Sequence, residues 1–143
     1  MIFALLLGLA AAPAPANAER AAIFKAAGFA PTASKHLMCD RRTPLELEVR
    51  DINGDGRLDA MVLDGGIMCY GNTGAGFVLL TRSATGKWTK LHASPGIPRF
   101  LKTRANGWPD LEVGGPGFCF PVMRWTGTGY ENHRKQYQGK PCH

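Results

Sequence analysis

The stretch that decides the fold is residues 45–63, LELEVRDINGDGRLDAMVL. Its first six residues alternate an apolar with a charged side chain, which is typical of a β-strand with one face in water. Its last four residues, AMVL, form a short apolar run typical of a buried strand. A segment rich in Asp, Asn and Gly, residues 51–59, separates the two runs. We therefore expect an antiparallel hairpin that turns near Asp55.

Oxygen-bearing side chains occupy positions 1, 3, 5 and 9 of this segment, as Asp51, Asn53, Asp55 and Asp59. Ca²⁺ takes about six to eight oxygen ligands, and alternate side chains in a tight loop turn toward one centre. Gly56 permits the sharp turn, and Arg57 would contribute its backbone carbonyl. The sequence therefore predicts a Ca²⁺ site. Its affinity should be weak, because position 12 is Val62 instead of the bidentate Glu of an EF-hand.

The alternative to a metal site is an Asx-rich turn that binds nothing, because Asp, Asn and Gly are also the commonest turn residues. Three carboxylates packed into this short segment would repel one another in the absence of a cation. The turn interpretation leaves that repulsion unexplained, so we favour calcium binding.

The pattern D-x-N-G-D-G-x-x-D, followed by an apolar strand, resembles the calcium loops of FG-GAP and VCBS-type β-repeats. The resemblance covers residues 45–70, and its matching side chains are Asp51, Asn53, Asp55, Gly56 and Asp59. It implies a metal-stiffened binding or structural module of the kind found in many exported bacterial proteins. A second unit repeats the order Asn-Gly, Asp, Gly-Gly and Cys at 106–119, without the ligand pattern of the first.

Strand and turn signals fill most of the chain beyond the hairpin. Further strands are predicted at 67–70, 77–82, 88–92, 111–113, 118–125 and 130–137. One short helix is predicted over 19–27, because Ile23, Phe24 and Ala27 share one face and Gly28 can end it. The predicted fold class is therefore mainly β (α+β), an antiparallel β-domain of two related β-units with one short N-terminal helix.

The first eighteen residues have the layout of a secretory signal peptide. An apolar run at 2–12 precedes Pro13 and Pro15, and the small-residue sequence Ala-Asn-Ala at 16–18 provides a cleavage site. We expect residues 1–18 to be removed and residues 19–143 to form a single periplasmic or secreted domain. No apolar run reaches the ~20 residues that a membrane span needs.

Export would place four cysteines, Cys39, Cys69, Cys119 and Cys142, in an oxidising compartment, where two disulfides are expected. A hairpin centred near Asp55 brings Cys39 close to Cys69, and the pairing Cys119–Cys142 follows mainly by elimination. The rival pairing, Cys69–Cys119, would join the matching positions of the two units.

Charge is uneven along the chain, whose net charge is +6. Residues 19–64 carry 7 basic and 8 acidic side chains, whereas residues 65–143 carry 10 basic and 3 acidic ones. The basic side chains are scattered singly, which is typical of a solvated surface and argues against nucleic acid as the partner. The partners that we consider are an envelope glycan, a lipid headgroup or another protein.

The aromatic side chains of the basic half are Trp88, Trp108, Trp125, Tyr130 and Tyr137. Core packing explains most of them, because a small β-domain needs large apolar side chains. Trp108, in the turn Gly107-Trp108-Pro109, is the one that we expect to be exposed and able to stack on a ligand.

Catalytic motifs are absent from the sequence, which has no G-x-S-x-G, no H-E-x-x-H and no phosphate-binding glycine loop. Asp110 and Glu112 share one strand face, where we expect them to meet solvent. No catalytic residue is therefore assigned. The sequence favours an exported, non-enzymatic calcium-binding β-module, a binding or structural protein of the cell envelope. The alternative is an envelope-acting hydrolase or a hydrolase inhibitor.

Overall fold

The computed structural model describes residues 15–29 and 45–143. Their elements are α1 (Asn17–Ala27), β1 (Glu46–Arg50), β2 (Asp59–Gly65), the helical turn α2 (Ile67–Tyr70), a 3₁₀ turn (Gly71–Thr73), β3 (Ala75–Arg82), β4 (Trp88–Pro95), β5 (Ile97–Ala105), β6 (Trp108–Gly114), β7 (Phe120–Trp125), β8 (Tyr130–Tyr137) and β9 (Lys140–Pro141). Strands β1–β4 form sheet A and strands β5–β9 form sheet B, both antiparallel and in sequential order. The predicted fold class, mainly β with one short N-terminal helix, is confirmed.

Sheet A is the middle of three layers. One of its faces packs against α1, where Ile23 and Phe24 join Leu80 in one core cluster. Its other face packs against sheet B, where Leu79 joins Leu111 in a second cluster. All five side chains are at most 2% exposed. Burial on both faces explains why β2 and β3 carry continuous apolar runs instead of an alternation.

The hairpin predicted around residues 51–59 is present. Strand β1 pairs with β2, with Leu47 opposite Val62 and Arg50 opposite Asp59. The predicted strands 118–125 and 130–137 correspond to β7 and β8, which pair as an antiparallel hairpin across the connection 126–129. In both sheets, consecutive strands pair as antiparallel hairpins. In each sheet the second strand carries an aspartate near its start, Asp59 in β2 and Asp110 in β6.

Helix α1 ends as predicted, although it begins at Asn17, two residues before the predicted start. Gly28 has φ +96° and donates its N–H to the carbonyl of Lys25, while the N–H of Phe29 reaches the carbonyl of Phe24 at 2.9 Å. This pair of bonds is a Schellman motif, which satisfies the last carbonyls of the helix.

The chain passes from sheet A to sheet B at Gly96. Its φ is +126°, and a Cβ at this position would lie 2.4 Å from Cγ1 of Val113. Its N–H donates to the carbonyl of Ala75 at 2.8 Å. Only glycine tolerates both the backbone angle and the close approach, so this residue fixes the crossing between the layers.

Parts of the secondary structure differ from the prediction, among them the short strand β9, which was not predicted. Residues 67–70 were predicted as a strand, and that is wrong, since they form the single helical turn α2. Glycines flank this apolar segment on both sides, and the hydroxyl of Tyr70 donates to Asp64 Oδ2 at 2.7 Å, which closes the turn. Strand β5 had not been predicted, because Pro98 and three cations interrupt its alternation. An edge strand such as β5, bonded to β6 alone, tolerates a proline.

Cys119 and Cys142 form a disulfide, with their Cα atoms 5.8 Å apart. This bond confirms the second predicted pairing and excludes the rival Cys69–Cys119. The first predicted pairing, Cys39–Cys69, includes Cys39, which lies outside the described residues, so it stays a prediction. The bond Cys119–Cys142 ties the segment after β9 to the start of β7.

Removing this disulfide should destabilise the fold through the unfolded chain. The double substitution Cys119→Ser/Cys142→Ser opens a loop whose ends are 23 residues apart. We expect the free energy of unfolding to fall by about 3 kcal/mol, from the gain in entropy of the denatured chain. Denaturant unfolding of both proteins measures this change. An unchanged unfolding midpoint would show that the bond contributes no stability.

Acidification should weaken the packing between the sheets at His92. This side chain lies between Phe77 and Tyr130, with ring centroids at 5.8 and 6.0 Å, and its Nε2 has no hydrogen-bond partner among the described residues. Burial lowers the pKa of His92. The unfolded chain then binds more protons near pH ~6.5, so the free energy of unfolding should decrease as the pH falls through that value.

The substitution His92→Gln isolates this effect, because it removes the titrating group and keeps a polar side chain. Unfolding of the natural protein and of the variant should be compared between about pH 7.5 and 5. We expect the difference in stability between them to shrink as the pH falls. Two parallel curves over that interval would contradict the prediction.

Candidate metal centre

The loop 51–59 is closed by hydrogen bonds that converge on Asp51. Its Oδ1 accepts the N–H groups of Gly54 at 2.8 Å and Asp55 at 3.2 Å, and its Oδ2 accepts that of Gly56 at 2.8 Å. Gly56 has φ +83°, the left-handed backbone that the sequence predicted for the sharp turn. The carboxylate thus shapes the loop and remains exposed to solvent.

The middle of the loop holds two further oxygen-bearing side chains. Oδ1 of Asn53 accepts the N–H of Asp55 at 3.2 Å, and Oδ1 of Asp55 accepts the N–H of Arg57 at 2.8 Å. The guanidinium of Arg57 also lies 3.1 Å from Oδ2 of Asp55. Because the Arg57 side chain is 48% exposed, this ion pair is weak and can be exchanged for another cation.

Asp59 forms the buried base of the loop and is 0% exposed. Its Oδ2 accepts the N–H groups of Ile52 at 2.8 Å and Asn53 at 3.4 Å, and its Oδ1 accepts the hydroxyl of Thr81 at 2.6 Å. Burial raises the pKa of Asp59, and these three hydrogen bonds oppose that rise. Thr81 faces Asp59 directly across the pairing of β2 with β3, a relation that no sequence motif signalled.

The structure therefore places the predicted side chains, those of Asp51, Asn53, Asp55 and Asp59, in one loop, but it does not gather the carboxylates. Within residues 15–29 and 45–143, no three His, Cys, Asp or Glu side chains are arranged to hold a metal ion. Backbone N–H groups satisfy the carboxylates instead. A carboxylate offers about four lone-pair sites, and Asp51 uses three of them, so acceptor capacity remains for a hard cation.

Arg104 on β5 connects the loop to sheet B and was missed in the sequence. Its guanidinium donates to the carbonyls of Asn53 at 3.3 Å and Ile52 at 3.5 Å, and to that of Gly107 at 2.8 Å. The turn 106–107, which matches the loop in the second unit, is thus held against it. This contact places the first connections of the two units at the same end of the molecule.

Asp110 and Glu112 do share one face of β6, as predicted, but the expectation that they meet solvent is wrong. Asp110 is 0% exposed and Glu112 is 5% exposed. Asp110 accepts hydrogen bonds from Arg124 at 2.9 and 2.8 Å, from Arg134 at 3.0 Å and from Thr103 at 2.5 Å. Arg124 in particular holds the pKa of Asp110 well below its usual range.

Glu112 has partners of its own on the same face. It accepts hydrogen bonds from Arg99 at 3.0 Å and from Gln136 at 2.7 Å. The cations that cover these two carboxylates come from β5, β7 and β8, and no sequence pattern predicted which of these strands lie beside β6. Both acids therefore serve as the floor of a buried polar layer on the outer face of sheet B.

The prediction that Trp108 is exposed is also wrong. Trp108 is 6% exposed and packs in the core against Trp125, at 5.6 Å between ring centroids, and against Tyr130 at 6.4 Å. Trp88 is buried as well, on the helix side of sheet A. The strongly exposed aromatic side chain is instead Phe118, at 76%.

Among the surface grooves that described residues form, three are large enough to hold a small ligand. One of about 400 Å³ lies between the loop and the 83–86 turn, where Gly56, Arg57 and Leu58 line it. One of about 900 Å³ lies beside the disulfide, and one of about 570 Å³ lies between β5 and the β8–β9 hairpin. None of these three is lined by Asp or Glu, so they provide no pair of acids for glycan hydrolysis.

Replacing Asp110 with Asn should destabilise the protein, because Arg124 and Arg134 would lose their shared negative partner. Breaking a fully buried ion pair costs about 3 to 5 kcal/mol. The two guanidinium groups are 33% and 31% exposed, so we expect a loss of roughly 2 kcal/mol. The matched control is Glu48→Gln at an exposed ion pair, with an expected loss below about 0.5 kcal/mol. Equal losses for both variants in denaturant unfolding would refute the role assigned to Asp110.

Comparison with protein family models, with curated proteins and with solved structures found no match to this chain. The resemblance to FG-GAP and VCBS repeats therefore rests on residues 45–70 and stays a prediction. In the described ranges, no helix is long and apolar enough to span a membrane.

Proposed function

We propose that this protein is an exported, non-enzymatic β-module whose loop 51–59 binds Ca²⁺ and which acts as a binding or structural protein of the cell envelope. The observation that carries the proposal is that Asp51 and Asp55 expose carboxylates within a loop already closed by N–H donors. A loop that is shaped beforehand has less conformational entropy to lose when a ligand binds.

The proposed ligands are the side-chain oxygens of Asp51, Asn53 and Asp55 and the backbone carbonyl of Arg57. Asp59 would be a further ligand at the base of the loop, because its Oδ1 accepts one hydrogen bond from Thr81 and has a second lone pair. Binding would draw the three carboxylates together, and the divalent charge would offset their repulsion. Carboxylate, amide and carbonyl oxygens suit a hard cation and suit zinc or copper poorly.

Export is supported by the signal-peptide pattern of residues 1–18 and by the disulfide Cys119–Cys142. Disulfides persist in oxidising compartments such as the periplasm and are rare in the cytosol. An envelope glycan, a lipid headgroup or a protein would then be the available partner. The basic half of the chain favours an anionic one.

The alternative, an envelope-acting hydrolase or a hydrolase inhibitor, gains no support from the acids of β6. A general acid needs a pKa near the working pH, whereas Arg124 lowers that of Asp110. Glu112 is held by Arg99 and Gln136 and lines none of the three grooves described above. The non-enzymatic module is therefore the function that these residues support best.

Calorimetry should detect one Ca²⁺ with a dissociation constant of about 10⁻⁴ to 10⁻³ M, the range of extracellular modules without a bidentate Glu. The double substitution Asp51→Asn/Asp55→Asn should weaken binding at least about tenfold, because it removes two negative charges and replaces one of the two Asp51 oxygens that accept loop N–H groups with an NH₂ donor. At about ten times the dissociation constant, Ca²⁺ should raise the free energy of unfolding by ~1.4 kcal/mol, an increase that a chelator removes.

Two single variants separate metal binding from turn formation. Arg57→Ala should tighten Ca²⁺ binding a few-fold, because it frees Asp55 from its ion pair and keeps the backbone carbonyl. Glu46→Gln, an exposed acid at the far end of β1, should leave the affinity unchanged. If no heat is measured at millimolar Ca²⁺ and a chelator leaves the melting curve unaltered, the loop is a turn and the proposal fails.

A further inference from the structure

Four large apolar side chains are clearly exposed in the described part of the chain, namely Leu58, Ile67, Ile97 and Phe118. Three of them gather at one end of the two sheets, with exposed fractions of 75% for Ile67, 58% for Ile97 and 76% for Phe118. We call this the glycine-rich end, which consists of the connections 66–74, 96, 115–119 and 138–139 and of Ile97, the first residue of β5. Exposed apolar side chains that lie close together mark an interaction site, whereas singly scattered ones do not, so the proximity of these three decides.

Contacts between these connections hold them at the same end. Thr73, in the first connection, lies against Gly115 in the third. Ile97 lies against Gly114, directly before that third connection. The exposed side chains therefore project from neighbouring connections, each from a separate one.

Aromatic rings support the most exposed of these side chains. The ring of Tyr137 lies 5.5 Å from that of Phe118 and 5.7 Å from that of Phe120, both in edge-to-face geometry. Tyr137 and Phe120 are half-buried, whereas Phe118 stands above them. The rings of Tyr137 and Phe120 therefore support Phe118 from below, and the side chain of Phe118 projects into solvent.

Cations flank this end on the side of sheet B. Lys140 pairs with Tyr137 in the β8–β9 hairpin, and Lys135 precedes it on β8. Both are exposed, and neither forms an ion pair with another described residue. Arg99, two residues beyond Ile97, has a side chain that is 59% exposed although it contacts Glu112.

The opposite end of the molecule has the opposite character. It carries the loop 51–59, in which Asp51 and Asp55 are exposed, and the turns 83–87, 106–107 and 126–129. By contrast, the four connections of the glycine-rich end contain no Asp or Glu. An anionic partner would therefore meet no acidic side chain in the connections of the glycine-rich end, whereas at the other end it would meet Asp51 and Asp55 beside Arg57 and Lys87.

We propose that the glycine-rich end docks on the surface of an anionic lipid bilayer. Ile67, Ile97 and Phe118 enter the boundary between headgroups and acyl chains, while Lys135 and Lys140 face the lipid phosphates. Separate apolar tips flanked by cations fit a bilayer, because a fluid interface accommodates isolated tips and supplies anionic charge without a complementary shape.

This inference deepens the proposed envelope role and rests on export for its setting, but it does not depend on calcium. The test uses purified protein and vesicles, so it needs neither export nor metal. Running it with Ca²⁺ and with a chelator keeps the two proposals separable: equal binding in both conditions supports docking by the glycine-rich end alone. Vesicle binding that requires Ca²⁺ would overturn it, because the acidic loop would then be the contact.

The experiment is co-sedimentation of the full chain with phosphatidylcholine vesicles that contain or lack phosphatidylglycerol. We expect binding to the anionic vesicles at about 0.1 M salt, and its loss near 1 M, where screening shortens the reach of charges to ~3 Å. Phe118→Ser and Lys135→Glu/Lys140→Glu should each lower the partition coefficient about tenfold. The matched control, Leu58→Ser at the acidic end, should leave the partition coefficient unchanged.

Fluorescence quenching measures directly how deeply a residue enters the bilayer, so it distinguishes lost contact from misfolding of a variant. Phe118→Trp should show fluorescence quenching by lipids that carry a quencher at the headgroup boundary, and Leu58→Trp should not. Quenching at position 58 alone, or equal binding to neutral and anionic vesicles, would overturn the proposal. So would failure to bind vesicles together with a dimer in sedimentation velocity that Phe118→Ser abolishes, since the end would then be a contact between two copies of the chain.

Discussion

The constraint on which the rest of the structure depends is that sheet A must be covered on both faces. Strands β2 and β3 carry consecutive apolar side chains, and these point alternately toward α1 and toward sheet B. Neither covering layer suffices alone, because each would leave half of the apolar surface in water. The apolar side chains of β2 and β3 therefore require both the short helix and the second sheet. Gly96 is the residue at which the chain crosses from sheet A to sheet B.

A buried aspartate lies near the start of the second strand in each sheet, and the two are satisfied by different means. Asp59 receives two backbone N–H groups and the hydroxyl of Thr81. Asp110 receives the hydroxyl of Thr103 and two guanidinium groups. In sheet B, the cations that balance the carboxylate are thus side chains of the protein, and the preceding connection is a short turn. In sheet A, Asp51 and Asp55 lie in a longer loop, where Arg57 pairs with Asp55 and the proposed Ca²⁺ would balance the remaining charge.

The two ends of the sandwich differ in the side chains that they expose. One end carries the acidic loop, held against the second unit by Arg104. The other carries glycine-rich connections from which Ile97 and Phe118 project beside unpaired lysines. Because antiparallel strands alternate their connections between two ends, the separation of acidic from apolar character is a property of the chain order. A metal at one end and a lipid surface at the other would not compete for the same residues.

The sequence by itself determined the elements whose cause is local. The alternation at 45–50 determined β1, Gly28 determined the end of α1, and the spacing of Asp and Gly at 51–59 determined a tight loop between two strands. In each case the decisive contacts lie within a few residues of one another, so the pattern contains the information. The loop's candidate ligands could be named for the same reason, whereas their arrangement around a cation could not.

Only the tertiary structure decided which residues meet across strands and layers. Thr81 opposite Asp59, and Arg124 and Arg134 on Asp110, depend on strand register, and a shift of one residue would turn each side chain to the other face. Trp108 was expected at the surface because a turn precedes it, yet it lies on the inner face of sheet B, where sheet A and the rings of Trp125 and Tyr130 cover it. Residues 67–70 were expected in a strand because they are apolar, yet flanking glycines and the bond of Tyr70 to Asp64 make them a helical turn. Burial and charge pairing are properties of the assembled layers, and a single strand does not carry them.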